Sequence, residues 1–253
     1  MSRYIQNRAM TSSLKTAKKE LRSLMKNKLL SILPESIDAQ SNIVFNSLIN
    51  FKPYREAKRI GIYLSMPTGE IQTDAIVRHA LNSGKQVFVP YIVKLQPSAL
   101  DAPRSFMDMV NLRSLSDYES LERDSWGIPT INAGTVGQRE HVPNDPKNET
   151  EALDLILMPG VAFDLDPSTG YVRRLGHGKG FYDYFLHRYI KSRGSHVREI
   201  TTPGTDVLLC GLALQEQFLV SETGSSVPVE DHDNLLHSLL VGDGKLWEGP
   251  LRK

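Results

Sequence analysis

Between Ala17 and Leu33 the residues Ala17, Leu21, Leu24, Met25, Leu29 and Ile32 recur at helical spacing. This predicts a helix with lysines and an arginine on the opposite face and Pro34 as its stop. Ile37, Val44, Phe45 and Leu48 predict a second helix. Arg59–Met66 is short, partly alternating and rich in β-formers, so it reads as a strand. The loop Pro67-Thr68-Gly69-Glu70 separates it from a helical stretch, Thr73–Asn82, that Gly84 ends. Val87-Phe88-Val89-Pro90 is the next apolar run. Strand, helix and strand at this spacing predict a βαβ unit and a parallel sheet, hence an α/β protein. Leu153–Met158, broken by Asp154 and closed by Pro159-Gly160, predicts a central strand covered on both faces. Phe181–Arg193 reads as a helix and Val207–Leu214 as a last interior strand. Polar stretches near 94–104, 133–150 and 196–206 read as surface insertions, with no domain boundary in them.

Composition adds mainly exclusions. The length of 253 residues fits one domain, 1–253, with 40% hydrophobic and 23% charged residues as in ordinary globular proteins. Thirty basic residues nearly cancel 29 acidic ones, and the net charge of +1 gives no bulk electrostatic reason to bind nucleic acid or a membrane. No run reaches the ~20 apolar residues of a membrane span. The single cysteine, Cys210, excludes an intramolecular disulfide and multi-thiolate zinc sites, and its apolar surroundings predict a buried, inert thiol. Met1–Lys19 carries Arg3, Arg8, Lys15, Lys18 and Lys19 without an acid, which reads either as a weak organelle-targeting signal or as a frayed tail leading into the first helix.

The densest chemical signal is Arg173-Arg174-Leu175-Gly176-His177-Gly178-Lys179-Gly180-Phe181-Tyr182-Asp183. Glycines at alternate positions let backbone N–H groups approach a ligand, and the helix that follows favours an anion at its start. Lys179 and the two arginines add charge, so the pattern predicts phosphate binding, with a nucleotide triphosphate as the ligand. A flexible glycine loop with incidental charge is the plain alternative. Asp183, in the first helical turn, is either a partner of the helix dipole or a Mg²⁺ ligand facing phosphates. Glu70, just past the first strand, could hold a donor-rich heterocycle or be surface charge. His177 could act as a base or touch phosphate. Glu230, Asp231 and Asp233 form an acidic cluster near the end.

These residues carry a family resemblance. Leu155-Ile156-Leu157-Met158-Pro159-Gly160-Val161-Ala162-Phe163-Asp164, followed by Arg174–Asp183, resembles the signature of 5-formyltetrahydrofolate cyclo-ligases. Lys18-Lys19-Glu20-Leu21-Arg22, Ile62–Met66 with Glu70, Met107-Asp108-Met109-Val110 and Ser125-Trp126-Gly127-Ile128-Pro129 match in the same order. The resemblance implies a three-layer α/β/α fold with a mostly parallel sheet, in a monomer that is cytoplasmic as in most members; the basic N-terminus leaves a mitochondrial address open. It implies Mg·ATP and 5-formyltetrahydrofolate as small-molecule ligands, with no nucleic-acid or membrane partner. Position by position, Lys18, Lys19, Glu20, Leu21 and Arg22, and Arg174, Leu175, Gly176, His177, Gly178, Lys179, Gly180, Phe181 and Tyr182, match ATP contacts. Leu64, Glu70 and His177 to Phe181 match folate contacts, Lys179 and His177 the reacting centre, and Asp183 and Asp233 the metal ligands. Many relatives have arginine where this chain has His177, which lacks the guanidinium's fixed charge and fork. Two other readings bind phosphate with a similar loop: a non-enzymatic sensor of a phosphorylated metabolite and a phosphosugar isomerase.

Overall fold

The computed structural model describes residues 2–95, 104–143, 151–192, 207–219, 226–230 and 233–250, with side chains from residue 13 onward. The order of elements is α1 (Ser2–Leu30), α2 (Pro34–Asn50), α3 (Lys52–Glu56), β1 (Arg59–Ile62), α4 (Asp74–Asn82), β2 (Gln86–Lys94), β3 (Ser105–Leu112), α5 (Leu115–Glu119), β4 (Glu122–Arg123), β5 (Pro129–Thr130), α6 (Ala133–Val136), β6 (His141–Val142), β7 (Leu155–Met158), β8 (Ala162–Leu165), β9 (Val172–Leu175), α7 (Phe181–Ser192), β10 (Leu208–Ala213), a 3₁₀ turn (Gln215–Gln217), β11 (Ser238–Val241) and β12 (Leu246–Glu248).

Eight strands form one sheet in the order β12-β11-β10-β7-β1-β2-β3-β6. The five from β11 to β2 run parallel, and β12, β3 and β6 join antiparallel. Side chains alternate across the sheet, so each strand serves two cores. Ile60, Ile62, Leu155, Leu157, Cys210 and Leu212 pack with Ile37, Val44 and Leu48 of α2, Tyr54 of α3 and Ile76, Val77 and Ala80 of α4. On the other face Ile156, Met158 and Leu209 pack with Phe185, Leu186 and Tyr189 of α7 and with Phe163 and Val172 of the β8–β9 hairpin. The result is the expected three-layer α/β/α architecture. The strand predicted to be central is central: β7 lies between β1 and β10, with all four residues buried. The βαβ unit is β1–α4–β2, paired in parallel.

Several boundaries differ from expectation. Helix α1 begins at Ser2 rather than Ala17, and its inward stripe is Lys18, Arg22, Met25 and Leu29 while Leu24 is exposed. Cations therefore sit on the face that periodicity alone assigned to apolar side chains. Pro34 opens α2 at its first turn, where its missing N–H is harmless. Strand β1 ends at Ile62, because Tyr63 turns its hydroxyl to the Ile71 carbonyl and its own carbonyl accepts from Thr73 Oγ1. The 94–104 stretch connects the β2–β3 hairpin, and its residues 96–103 lie outside the described set. Of the 133–150 stretch, the described residues 133–143 hold α6 and β6, which pairs with β3, and residues 144–150 lie outside the described set. The 196–206 stretch lies outside the described residues. Val207–Leu214 is not the last strand, since β11 and β12 follow it in the sheet.

Gly211 sits mid-strand in β10, where a Cβ would lie 2.8 Å from Leu239 Cδ1 and 2.9 Å from Phe163 Cε1. Both neighbours are themselves fully buried, so the added methyl makes room only by moving core side chains. Gly211→Ala should lower unfolding free energy by about 1–3 kcal/mol in urea titration. A wild-type midpoint would contradict this packing.

Candidate active site

Parallel strands deliver their loops to one side of the sheet, where α/β proteins collect ligands. The Gly176–Gly180 loop leaves β9 there and enters α7. Gly178 and Gly180 have φ of +91° and +67°, which residues with a side chain rarely adopt. Arg174 lies buried beneath the loop: it donates to the Pro159 carbonyl at 3.3 Å and to the Asp183 carboxylate at 3.1 and 3.3 Å, and sits 5.5 Å from the Tyr182 ring centre. Arg173 does not join it. Alternation along β9 turns Arg173 to the other face, where it pairs with both oxygens of Asp164, and Asp164 also accepts from Val227 N at 2.9 Å. Only one of the two arginines expected to charge the loop therefore lies under it.

Helix α1 contributes two side chains one turn apart, of which Arg22 reaches the loop and Lys18 the acidic segment near the end of the chain. Arg22 Nε donates to the Gly176 carbonyl at 2.8 Å. Lys18 Nζ, nearly buried, pairs with Glu230 at 2.8 Å and Asp233 at 2.5 Å. Burial lowers the Arg22 pKa against the opposing pull of Asp233 and Glu230. Leu21 packs beside Met25 in the small core under this helix, with Leu175, while Lys19 and Glu20 are exposed. Lys179 is exposed and makes no ion pair with the described residues. His177 is reached by solvent, yet the protein crowded around it, then Arg174 and Arg22, push its pKa down, so the imidazole is neutral at pH 7.

On the β1 side, Leu64 and Glu70 are buried. Glu70 accepts from Met66 N at 2.6 Å, but burial outweighs that bond and raises its pKa to about 8. Phe181 and Tyr182, at the start of α7, are half-buried. The Tyr182 hydroxyl lacks a hydrogen-bond partner among the described residues; burial raises its pKa, opposed by Arg174 and reinforced by Glu70.

Asp183 and Asp233 are brought close together. Asn234, next to Asp233, donates to Asp183 Oδ1 from its backbone at 3.3 Å and its side chain at 3.4 Å. Each carboxylate already answers a cation, Arg174 or Lys18. Among the described residues no group of three or more His, Cys, Asp and Glu could hold a metal alone. Two hard oxygen donors do fit Mg²⁺, which takes the rest of its shell from water and phosphate. Asp231 lies outside the described residues. Cys210 is buried, as expected, and burial first of all raises its pKa to about 12. No helix among the described residues is long and apolar enough to cross a membrane. Sequence reasoning missed Gln217 and Asn234, which carry no local signal; Asp164 stood inside the matched block but was given no role.

A sequence model of the 5-formyltetrahydrofolate cyclo-ligase family matches residues 14–242. A probable 5-formyltetrahydrofolate cyclo-ligase of Caenorhabditis elegans is 35% identical over 222 residues, covering 88% of this chain and 91% of its own. The Mus musculus 5-formyltetrahydrofolate cyclo-ligase is 31% identical over 228 residues, covering 90% and 95%. Among solved structures, the 5,10-methenyltetrahydrofolate synthetase of Aquifex aeolicus superposes with a TM-score of 0.59 at 22% identity, covering 91% of this chain and 92% of its own, a likeness of fold. With the family model spanning most of its length, the chain belongs to the 5-formyltetrahydrofolate cyclo-ligase family.

Proposed function

We propose that the protein converts 5-formyltetrahydrofolate into 5,10-methenyltetrahydrofolate with ATP and Mg²⁺, through a phosphorylated formyl oxygen. The observation that carries this reading is the juxtaposition of a glycine loop at the start of α7 with the buried acid Glu70: one side-chain amide, Gln217, bonds both the Gly69 carbonyl beside Glu70 and the Gly160 carbonyl beside the Pro159 that Arg174 holds under the loop. The loop suits phosphates and the acid suits the N–H groups of a pterin-like ring. A formamide oxygen is a poor leaving group. Transfer of the γ-phosphoryl group to it releases ADP and makes an iminium phosphate; N10 then bonds to the formyl carbon, the C–O bond breaks, and phosphate and a proton leave. No side-chain nucleophile is required. Loop amides and Lys179 supply preorganised positive charge to the transferring group, and neutral His177 can donate to a phosphate or formyl oxygen. Arg174 holds the loop in shape. Asp183 and Asp233 would hold the Mg²⁺, which when bound shields phosphate charge.

Two measurements test the parts separately. Lys179→Ala should lower kcat by about 10²–10³-fold, because a preorganised donor to developing charge is lost. Its exposure makes a folding defect an unsuitable explanation, and turnover near wild type would remove Lys179 from the reaction.

Glu70→Gln should raise the folate KM about ten-fold or more while the ATP KM stays put, since ring N–H groups bound beside Glu70 would draw it into its charged form and an amide cannot follow. The same variant makes a statement about pH. Charging Glu70 is harder in the folded chain than in the unfolded one, so wild-type stability falls as pH rises from about 4.5 to about 8 and is level above. Glu70→Gln escapes this, and its melting temperature should exceed wild type's by an amount that grows over that window. An offset equal at both ends of the window would contradict the buried acid.

A further inference from the structure

Three loops at the carboxyl end of the sheet converge on one side chain. Gln217, 1% exposed, closes the 3₁₀ turn after β10. Its Nε2 donates to the Gly160 carbonyl at 2.6 Å and the Gly69 carbonyl at 3.3 Å, and its Oε1 accepts from Leu214 N at 2.8 Å. Both amide hydrogens and the amide oxygen are engaged, by the loops that follow β7, β1 and β10. Gly69 precedes Glu70, and Gly160 follows Pro159, whose carbonyl accepts from Arg174. Polar contacts thus run from the Glu70 loop through Gln217 to Arg174 and Asp183, between the two ends of the site.

We infer that Gln217 is a positioning residue that fixes the distance between the heterocycle site at Glu70 and the phosphate loop. This rests on the two-ligand reading above and adds the residue that keeps the ligands in register. A primary amide of this length can donate to two carbonyls and accept from an N–H at once. A glutamate there would turn an oxygen on two carbonyl oxygens. A methionine would fill the space and leave the buried Gly160 carbonyl and Leu214 N–H without partners, and the half-buried Gly69 carbonyl untied. Transfer between two bound ligands falls off steeply with misplacement, by about 10²-fold for ~1 Å. Gln217 therefore acts on rate through the loops, with no group of its own on the ligands.

Gln40 supplies a matched control. It is 5% exposed, sits on α2, and uses its amide on Ser36 at 3.3 Å, Glu216 at 3.1 Å and Gln215 N at 2.8 Å. It grips the same 3₁₀ turn and bonds to neither Gly69 nor Gly160. The experiment measures kcat, both KM values and melting temperature for wild type, Gln217→Met, Gln217→Asn and Gln40→Met. Gln217→Met and Gln40→Met should both melt lower, but only the first should lose about 10²-fold in kcat. Its folate KM should rise with the loosened Glu70 loop, and its ATP KM should stay near wild type. Gln217→Asn keeps the amide on a shorter stem and should fold where methionine does not; it too should lose kcat. Wild-type kcat in either Gln217 variant, or an equal kcat loss in Gln40→Met, overturns the assignment and leaves the proposed function standing. A wild type without turnover overturns both.

Discussion

A guanidinium buried under a turn must be answered by acceptors, because an unpaired ion out of water costs several kcal/mol. Arg174 imposes that condition on this fold. Its side chain is 4% exposed and finds Pro159, Asp183 and the Tyr182 ring, which belong to the turn after β7 and the first turn of α7. One residue at the end of β9 therefore joins three segments, and its Nε still has no partner among the described residues. The glycine loop above has little side chain to pack and cannot hold its own shape. Arg174 and Arg22 hold it instead, one from β9 and one from α1.

This arrangement changes what the local charge means. Lys18, Arg22 and Arg174 are all directed at carboxylates or carbonyls of the protein itself. Under the proposed function an arriving phosphate would meet Lys179, the loop amides and the end of a helix dipole, with Lys18 and Arg174 already paired to carboxylates and Arg22 to a carbonyl. Such charges need not reorganise when a ligand binds, which is the condition for strong electrostatic stabilisation. The buried pairs look redundant on a count of charge, yet they keep the few active groups in place.

The sequence made visible whatever is decided locally. β7 is buried on both faces, so it stands out as an apolar run; the α4 and α7 patterns repeat every turn; and the glycine block is contiguous. β11 went unread although Ser238–Val241 is no shorter than β7; it becomes a strand only against β10. β6 is shorter still and depends on β3. Lys18 was legible as a match to an ATP-contacting segment, but its pairing with Glu230 spans 212 positions and leaves no mark on either segment. Gln217 reaches across 57 residues to Gly160 and 148 to Gly69, and a lone glutamine in an ordinary turn announces nothing.

The antiparallel strands that close the sheet have a further consequence. Any row of unpaired backbone groups is a template on which another chain can build. Here one margin is β12, three exposed residues that include Trp247 packed against Phe218, and the other is β6, two residues followed by Pro143, which has no N–H to offer. Among the described residues neither edge strand by itself offers a neighbouring molecule a long ladder, although β6 covers β3 only at Met109 and Val110. Strand addition on that side would therefore have to begin on the part of β3 that β6 leaves unpaired among the described residues, Ser105–Asp108, and not on either edge strand.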